Sequence, residues 1–368
     1  MTVIDTNVLI DNPSILYEYK DIVIPYVILE ELDNLKNRDD IGKNAREVTR
    51  ILIKENIKCK NFGYKKGKID DFLLELGHKI ITQDMLMYLK GKAKGVDIKL
   101  YERNKDIYLG IIQKPIPPKK VDELYNKGKI KIDMELYENQ FLDAGNVIAR
   151  YKEGYLHRVD WDKRLIDGSK LNRRQIMFED LLTDGSITVV CCIGEQGTGK
   201  TTIAIENAIK QLDKGVYERC VLIRPLINKG GKWEDVGFLP GSKEEKIHPF
   251  LQPFWDNLKN KTQKIDRFEM ESIGFLQGRN FENTLIIITE AENIHPGEME
   301  GIISRVGKGS KLILEGDHNQ CNRSDLNPYF NGLVHTINTF KNEKMVGSIL
   351  LDKIERSETA KIAKKLRM

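Results

Sequence analysis

One stretch of this 368-residue chain specifies a chemistry by residue type and spacing: Gly194-Glu195-Gln196-Gly197-Thr198-Gly199-Lys200-Thr201-Thr202. The pattern is G-x-x-x-x-G-K-[ST]. An apolar run, Val189 to Ile193, precedes it, and Ile203, Ala204, Ile205, Ala208 and Ile209 come after it with helical spacing. Between a strand and a helix, such a loop turns backbone N–H groups around phosphate oxygens, and the helix N-terminus adds a favourable dipole. Lys200 then reaches the β- and γ-phosphates of ATP, and the Thr201 hydroxyl ligates Mg²⁺.

A second group of residues points to hydrolysis. Asp5 and Asp84 each lie just past a short apolar run, and Glu31 and Asp70 fall in the first turns of helix patterns. Four carboxylates drawn together repel one another unless they share a divalent cation. One or two Mg²⁺ or Mn²⁺ ions held this way activate water for phosphodiester cleavage. Taken singly, each acid also reads as a helix cap or a solvated charge, Asp70 above all.

More candidates surround the phosphate loop. Gln175, one helix ahead of it, carries an amide with the donor and acceptor to read an adenine edge. Glu290 lies just past the apolar run Leu285–Ile288 and is the candidate base for an attacking water. Asp317 and Gln320 lie past Leu312–Leu314 and are placed to sense a γ-phosphate. Arg356, after the last apolar run, offers charge to a transition state, although a surface salt bridge accounts for it equally well.

These residues need elements to hold them. The length suggests about two domains. In the first part, strand-like runs at Val3-Ile4, Ile22–Ile24 and Lys79–Thr82 alternate with helix patterns from Val27, from Lys43, from Asp70 and over Met85–Lys94. That rhythm predicts an α/β domain with a mostly parallel sheet, whose strand ends gather functional groups. In the last part, Cys220–Ile223, Leu285–Ile288, Leu312–Leu314 and Ser348–Leu351 predict a parallel sheet buried on both faces. A Gly-rich stretch through Gly237-Phe238-Leu239-Pro240-Gly241 to Glu244-Glu245-Lys246 reads as a functional loop over the strand ends. The predicted divisions are residues 1–105, a linker or small β-rich accessory module over 106–170, and 171–368.

Bulk numbers narrow the class. Hydrophobic content is 40% and charged content 31%, ordinary for a globular protein. A net charge of +4 does not by itself identify a nucleic-acid partner. Lysines and arginines nevertheless crowd the segment between the second and third acids, from Lys36 to Lys68, which suits a phosphate backbone reaching a metal site. The five cysteines form no C-x-x-C pair, as expected of reduced thiols in a cytoplasmic protein. The N-terminus reads as no signal peptide, and no apolar run has membrane-spanning length, so no membrane partner is expected.

The pieces IDTNVLI, PYVILEELDNLK, DDFLLEL and ITQDMLMYLKGKAKG resemble, in order, the PIN-domain nucleases. The resemblance implies that Asp5, Glu31, Asp70 and Asp84 are metal-binding acids, with Asn7 and Thr82 as supporting polar groups. Glu30 and Asp71 stay open as alternative ligands. The pieces LNRRQ, GEQGTGKTT, IRPLIN, GFLPGSKEEK, FLQGRNF, TEAENIHPGEM, ISRVGKGSKLILEGDHNQ and ERSE resemble the PhoH family of ATPases, similar to the first half of superfamily-one helicases. PIN ahead of PhoH resembles fused proteins of bacteria and their phages. It implies a PIN-like α/β/α domain, a RecA-like P-loop NTPase domain, and an ATP-dependent RNA helicase and ribonuclease assembled as a homo-oligomeric, hexameric ring. The chain departs from the family at Thr289-Glu290-Ala291-Glu292-Asn293, where members usually read Asp-Glu-Ala-Gln-Asn. Losing that Asp removes a Mg²⁺ carboxylate, for which Asp317 or Glu292 could compensate through water. Two rival readings stand beside this one: an ATP-gated RNA- or partner-binding ring with weak hydrolysis, and a toxin-type ribonuclease with a regulatory ATPase domain.

Overall fold

The structure is a computed structural model that describes residues 1–38, 42–101, 106–225, 262, 265–276, 278–323 and 326–355. Arg356 and the Gly-rich loop through Gly237 to Lys246 lie outside these residues. The chain divides into two compact units, Met1–Lys105 and Asp106–Met368.

In the first unit, short runs, with β-branched residues in all but β3, make the strands β1 (Thr2–Ile4), β2 (Val23–Pro25), β3 (Lys58–Lys60), β4 (Lys79–Thr82) and β5 (Ile98–Leu100). β1, β4 and β5 form a parallel sheet in the order β1-β4-β5. β2 and β3 pair in parallel, and a Thr2–Ile22 bridge sets β2 beside β1. Helices α1 (Thr6–Asp11), α2 (Tyr26–Leu35), α3 (Gly42–Lys54), α4 (Ile69–Glu75) and α5 (Met85–Ala93) connect them. Val3, Ile4, Ile24, Ile80 and Ile81 are wholly buried, with Leu9, Ile28, Val48 and Leu73 of the helices in the same core. Strands this apolar need helices over the sheet, and the charged ends of the strands are what remains at its rim.

The second unit holds two sheets. β6 (Ile111–Gln113), β7 (Lys129–Lys131), β8 (Phe141–Asp143), β9 (Ile148–Lys152) and β10 (Tyr155–Arg158) run in the order β6-β8-β9-β10-β7 beside α6 (Pro118–Lys127). Leu124, Ile130, Leu142 and Leu156 give this small sheet its own core. The opposite side chains, Phe141 and Ile148, join Val159 in the larger core of the unit, with Ile176, Phe178 and Ile349. Residues 106–170 are therefore an ordered module packed on the rest of the second unit.

The large sheet comprises β11 (Val189–Gly194), β12 (Arg219–Arg224), β13 (Phe268–Ser272), β14 (Thr284–Ile288), β15 (Lys311–Gly316) and β16 (Val346–Leu351). Its order is β13-β12-β14-β15-β11-β16, and every pairing is parallel. Successive strand residues face opposite sides. Val190, Cys192, Leu222 and Ile287 meet α7 (Arg173–Thr183) and α8 (Lys200–Asp213), through Phe178, Leu181, Ile205 and Ile209. Cys191, Ile193, Val221 and Ile286 meet α9 (Pro296–Ile303) and α10 (Gly332–Thr339), through Met299, Ile302, Leu333 and Ile337. The result is the expected parallel sheet with helices on both faces. Among the described residues, no helix is long and apolar enough to cross a membrane.

A nearly buried ion-pair cluster joins the two sheets. Arg150 of β9 pairs with Asp184, just past α7, and its Nε lies 3.3 Å from Asp180. Burial pushes Asp184 up. Hydrogen bonds from Ser186, with the charge of Arg150, outweigh it and hold the carboxyl well below 3.8. Replacing Arg150 by Ala removes one cation from each of two acids, leaving Asp184 with Lys152 and Ser186 and Asp180 with Lys163, so urea unfolding should show a loss of about 1–2 kcal/mol. Because the folded carboxyl titrates low, this contribution is complete above pH 3.8 and is lost as the solution is acidified below it. A denaturation series over that range checks both the size and the sign.

Candidate ATP and nuclease sites

β11 lies inside the sheet, between β15 and β16, and delivers its last residue, Gly194, to the phosphate loop. The loop reaches α8 through Gly199, whose φ of 91° is left-handed, and a Cβ there would meet the Gln175 amide at 2.9 Å. A side chain is thus excluded twice, by backbone conformation and by space. Lys200 is 9% exposed, and its ammonium donates to Gly194 O (2.7 Å) and Glu195 O (3.1 Å). A phosphate oxygen offers that ammonium a charged acceptor in place of two neutral carbonyls.

Gln175 sits in the first turn of α7 and closes a capping box with Asn172. Its Oε1 accepts from Asn172 N and its Nε2 donates to Thr198 O, each at 3.0 Å. The structure therefore shows Gln175 bracing the loop, with one N–H and one lone pair left for a ligand. Gln175, Gln196, Gly197, Thr202, Asp317 and Gln320 all line the same cavity of about 480 Å³. Glu195 and Thr198 belong to the loop but do not line the cavity; Thr198 is wholly buried, its hydroxyl donating to Glu195 O.

The acids around the cavity differ in their engagements. Glu290 has a left-handed backbone (φ 52°) and forms an ion pair with Arg224 at the end of β12. Glu292 is 2% exposed; burial pushes its carboxyl well up, and one oxygen accepts from Asp317 N at 3.1 Å. Asp317 caps the turn 318–320, accepting from Asn319 N at 3.1 Å and from the Gln320 side chain. Thr289, buried, points no carboxylate at the cavity it lines. Glu315, the penultimate residue of β15, accepts the Thr201 hydroxyl through Oε1. Its Oε2 is buried without a hydrogen-bond partner. Burial raises the Glu315 carboxyl, opposed by the charge of Lys200 and the bond from Thr201. A hydroxyl beside an incompletely satisfied carboxylate is a hard-oxygen donor set that suits Mg²⁺. Sequence motifs do not single out Glu315; its signal is an acid ending an otherwise apolar strand, Leu312-Ile313-Leu314-Glu315.

The chain after β16 returns to this loop, where Glu355 N–H donates to Gly197 O at 2.9 Å. Glu355 is the last described residue before Arg356.

In the first unit, three of the four predicted acids act on one another. Burial, opposed by the Thr82 bond and reinforced by the charges of Asp70 and Glu31, raises Asp5 to about 6. Burial also raises Glu31, with Asp70 adding to it and a bond from the Thr6 hydroxyl opposing it. Asp84 is joined less directly. Its N–H donates to the Thr82 hydroxyl (3.0 Å), which donates to Asp5 Oδ2 (2.8 Å), while its own carboxylate caps α5 through Met87 N. The neighbouring alternatives face elsewhere: Asp71 pairs with Lys90 at 3.4 Å, and Glu30 is exposed beside Phe62 and Phe72. Asn7 is exposed. Among the described residues, no three His, Cys, Asp or Glu side chains converge closely enough to enclose an ion as they stand. Acids raised by burial and by one another are still the donor chemistry that a divalent cation relieves.

A loop of this form, at the end of a strand in a parallel sheet covered on both faces, defines a P-loop nucleotide hydrolase of RecA-like type. The chain belongs to the PhoH-like protein family, whose model matches residues 169–366. A PIN-domain model matches residues 2–75, so the chain joins a nuclease-type domain to a P-loop ATPase. Protein PhoH2 of Bacillus subtilis is 29% identical, over 98% of this chain and 98% of its own. Protein PhoH2 of Thermobispora bispora is 24% identical, over 97% of this chain and 94% of its own. Among solved structures, Pif1 helicase from Candida albicans is similar over 54% of this chain and 43% of its own, at 16% identity and a TM-score of 0.30.

The Asp5 environment yields a prediction with a definite sign. A carboxyl raised from 3.8 to about 6 binds more protons folded than unfolded, so the metal-free protein loses stability as pH rises between those values. At pH 7, Asp5→Asn should stabilise the metal-free protein by up to about 3 kcal/mol. Mn²⁺ should raise the melting temperature of the parent chain and leave that of Asp5→Asn unchanged. Calorimetry with and without Mn²⁺ reads both effects.

Proposed function

We propose that the protein is an ATP-dependent RNA helicase and ribonuclease. The observation that carries this is the braced phosphate loop, with Lys200 and Thr201 at the start of α8 and Gln175 tied to Thr198 O. ATP binds there with Mg²⁺ at the Thr201 hydroxyl, which supplies charge neutralisation on the phosphates. Lys200 holds the phosphates. Glu290 orients or deprotonates the attacking water once its pairing with Arg224 is released, and Asp317 and Gln320 report the presence of the γ-phosphate. Arg356 adds charge to the transition state. A single RecA-like module supplies half of a usual ATP interface, which supports a homo-oligomeric ring with ATP between subunits.

In the PIN domain, Asp5, Glu31, Asp70 and Asp84 hold Mg²⁺ or Mn²⁺, which supplies the activated water for RNA cleavage. Lysines and arginines between Lys36 and Lys68 guide the phosphate backbone. Residues 106–170 serve as an accessory module of the ATPase domain.

An ATP-gated binding protein is the second reading, favoured by the Glu290–Arg224 pair that engages the candidate base. Turnover assays with and without single-stranded RNA separate the two: RNA-stimulated hydrolysis favours the motor, and tight binding without turnover favours the gate. Lys200→Ala should lower ATP turnover by at least about 100-fold and abolish unwinding. Mn²⁺-dependent RNA cutting should survive in that variant and disappear in Asp5→Asn/Asp84→Asn. Undiminished ATPase activity in Lys200→Ala would sink the assignment.

A further inference from the structure

An ATP-bound Mg²⁺ is ordinarily steadied by a carboxylate beside the loop's hydroxyl, and the residue after β14 is Thr289. We propose that Glu315, on the neighbouring strand β15, is the carboxylate that steadies the nucleotide's Mg²⁺, in place of an acid at position 289. The proposal deepens the ATPase reading and rests on it.

Register makes the exchange possible. β14 and β15 run parallel with Ile288 opposite Leu314, so one step further along puts Thr289 beside Glu315. β15 also pairs with the loop's own strand, Cys192 opposite Glu315. An acid on β15 is therefore one strand nearer the phosphate loop than an acid after β14. Thr289, Glu315 and Thr201 line the same cavity.

The side chain is poised for the role. Glu315 is 1% exposed, Oε1 holds the Thr201 hydroxyl, and Oε2 has no partner. A buried carboxylate with one oxygen unsatisfied is costly, and a cation is what balances it. A hydroxyl that donates its hydrogen to Glu315 keeps its lone pairs for that cation. The other acids of the cavity are engaged: Glu290 with Arg224, Glu292 with Asp317 N, Asp317 with Asn319 N and Gln320, and Glu355 with Asn172 and Lys353.

Calorimetric titration of the full chain with ADP, in Mg²⁺ and in EDTA, tests the assignment without needing turnover. The parent chain should bind ADP more tightly with Mg²⁺. Glu315→Gln keeps an amide oxygen that accepts the Thr201 hydroxyl and so keeps α8 tied to β15, and the gain from Mg²⁺ should shrink on the order of 10–100-fold beyond any change in EDTA. Thr289→Asp added to Glu315→Gln should restore much of that gain. A Glu315→Gln chain that keeps the full gain overturns the proposal. So does one that weakens equally in Mg²⁺ and EDTA, which marks a structural prop for α8. If Glu315→Gln fails to fold, Thr289→Asp/Glu315→Thr takes its place. The moved carboxylate then keeps the Mg²⁺ gain under the proposal, and loss of the gain refutes it. A parent chain that binds no ADP in either condition refutes the ATP-site reading itself.

Discussion

The hydrogen bond from Thr201 to Glu315 ties the first turn of α8 to the end of β15. Much of the ATP site depends on that link. The phosphate loop begins at the end of β11 and finishes at α8, so its curvature is fixed only if both ends are fixed. β11 is held by parallel pairing on both sides, and α8 by its apolar face and by Glu315. Gln175 adds a third anchor from α7. Donors aimed in advance at a phosphate need no reorganisation when it arrives, which is the value of such bracing.

The nuclease-type unit solves a different problem. Asp5 and Asp84 are placed just past strand ends and Asp70 in the first turn of α4, whereas Glu31 lies in the second turn of α2 and not in its first, as the sequence pattern suggested. They are close enough for Asp70 and Glu31 to raise Asp5. Repulsion and burial work against that arrangement in the absence of a cation. A fold that retains them spends stability on keeping the carboxylates near one another, offset by hydroxyl donors at Thr82 and Thr6. Such local conflict is the expected signature of a functional site.

Sequence patterns reached most of this architecture because buried parallel strands and amphipathic helices leave strong periodic signals. The runs Cys220–Ile223, Leu285–Ile288, Leu312–Leu314 and Ser348–Leu351 each became a strand, extended by one to three residues at the ends. β13, Phe268-Glu269-Met270-Glu271-Ser272, lacks the continuous apolar run of the inner strands, and its alternation of apolar and acidic residues is the pattern of a half-buried strand at the sheet edge. β3 and β5 are no shorter than β1 and β2, but lysines interrupt their apolar runs, and Lys58 and Lys60 are exposed. The small sheet over 111–158 was legible only as a linker or a small β-rich module, because its individual strands lie among turns and charged residues. At the ATP site, the loop and the positions of Gln175, Glu290 and Asp317 on its cavity were legible from spacing. Their partners were not. Strand order puts Glu315 beside Thr201 across 114 residues and Arg224 beside Glu290 across 66, contacts that no local pattern encodes.

Both sites use one device. Thr82 donates to Asp5, Thr6 to Glu31 and Thr201 to Glu315. In each pair a stiff β-branched side chain, restricted at χ1, fixes the rotamer of a carboxylate that burial would otherwise drive toward the neutral form. The hydroxyl stabilises the ionised state through one oxygen and leaves the other oxygen's chemistry to a further partner. A second carboxylate would repel and an amine would neutralise, whereas a hydroxyl does neither. Threonine beside a buried acid is therefore a means of holding negative charge ready for a cation, at the nuclease-type acids and at the phosphate loop alike.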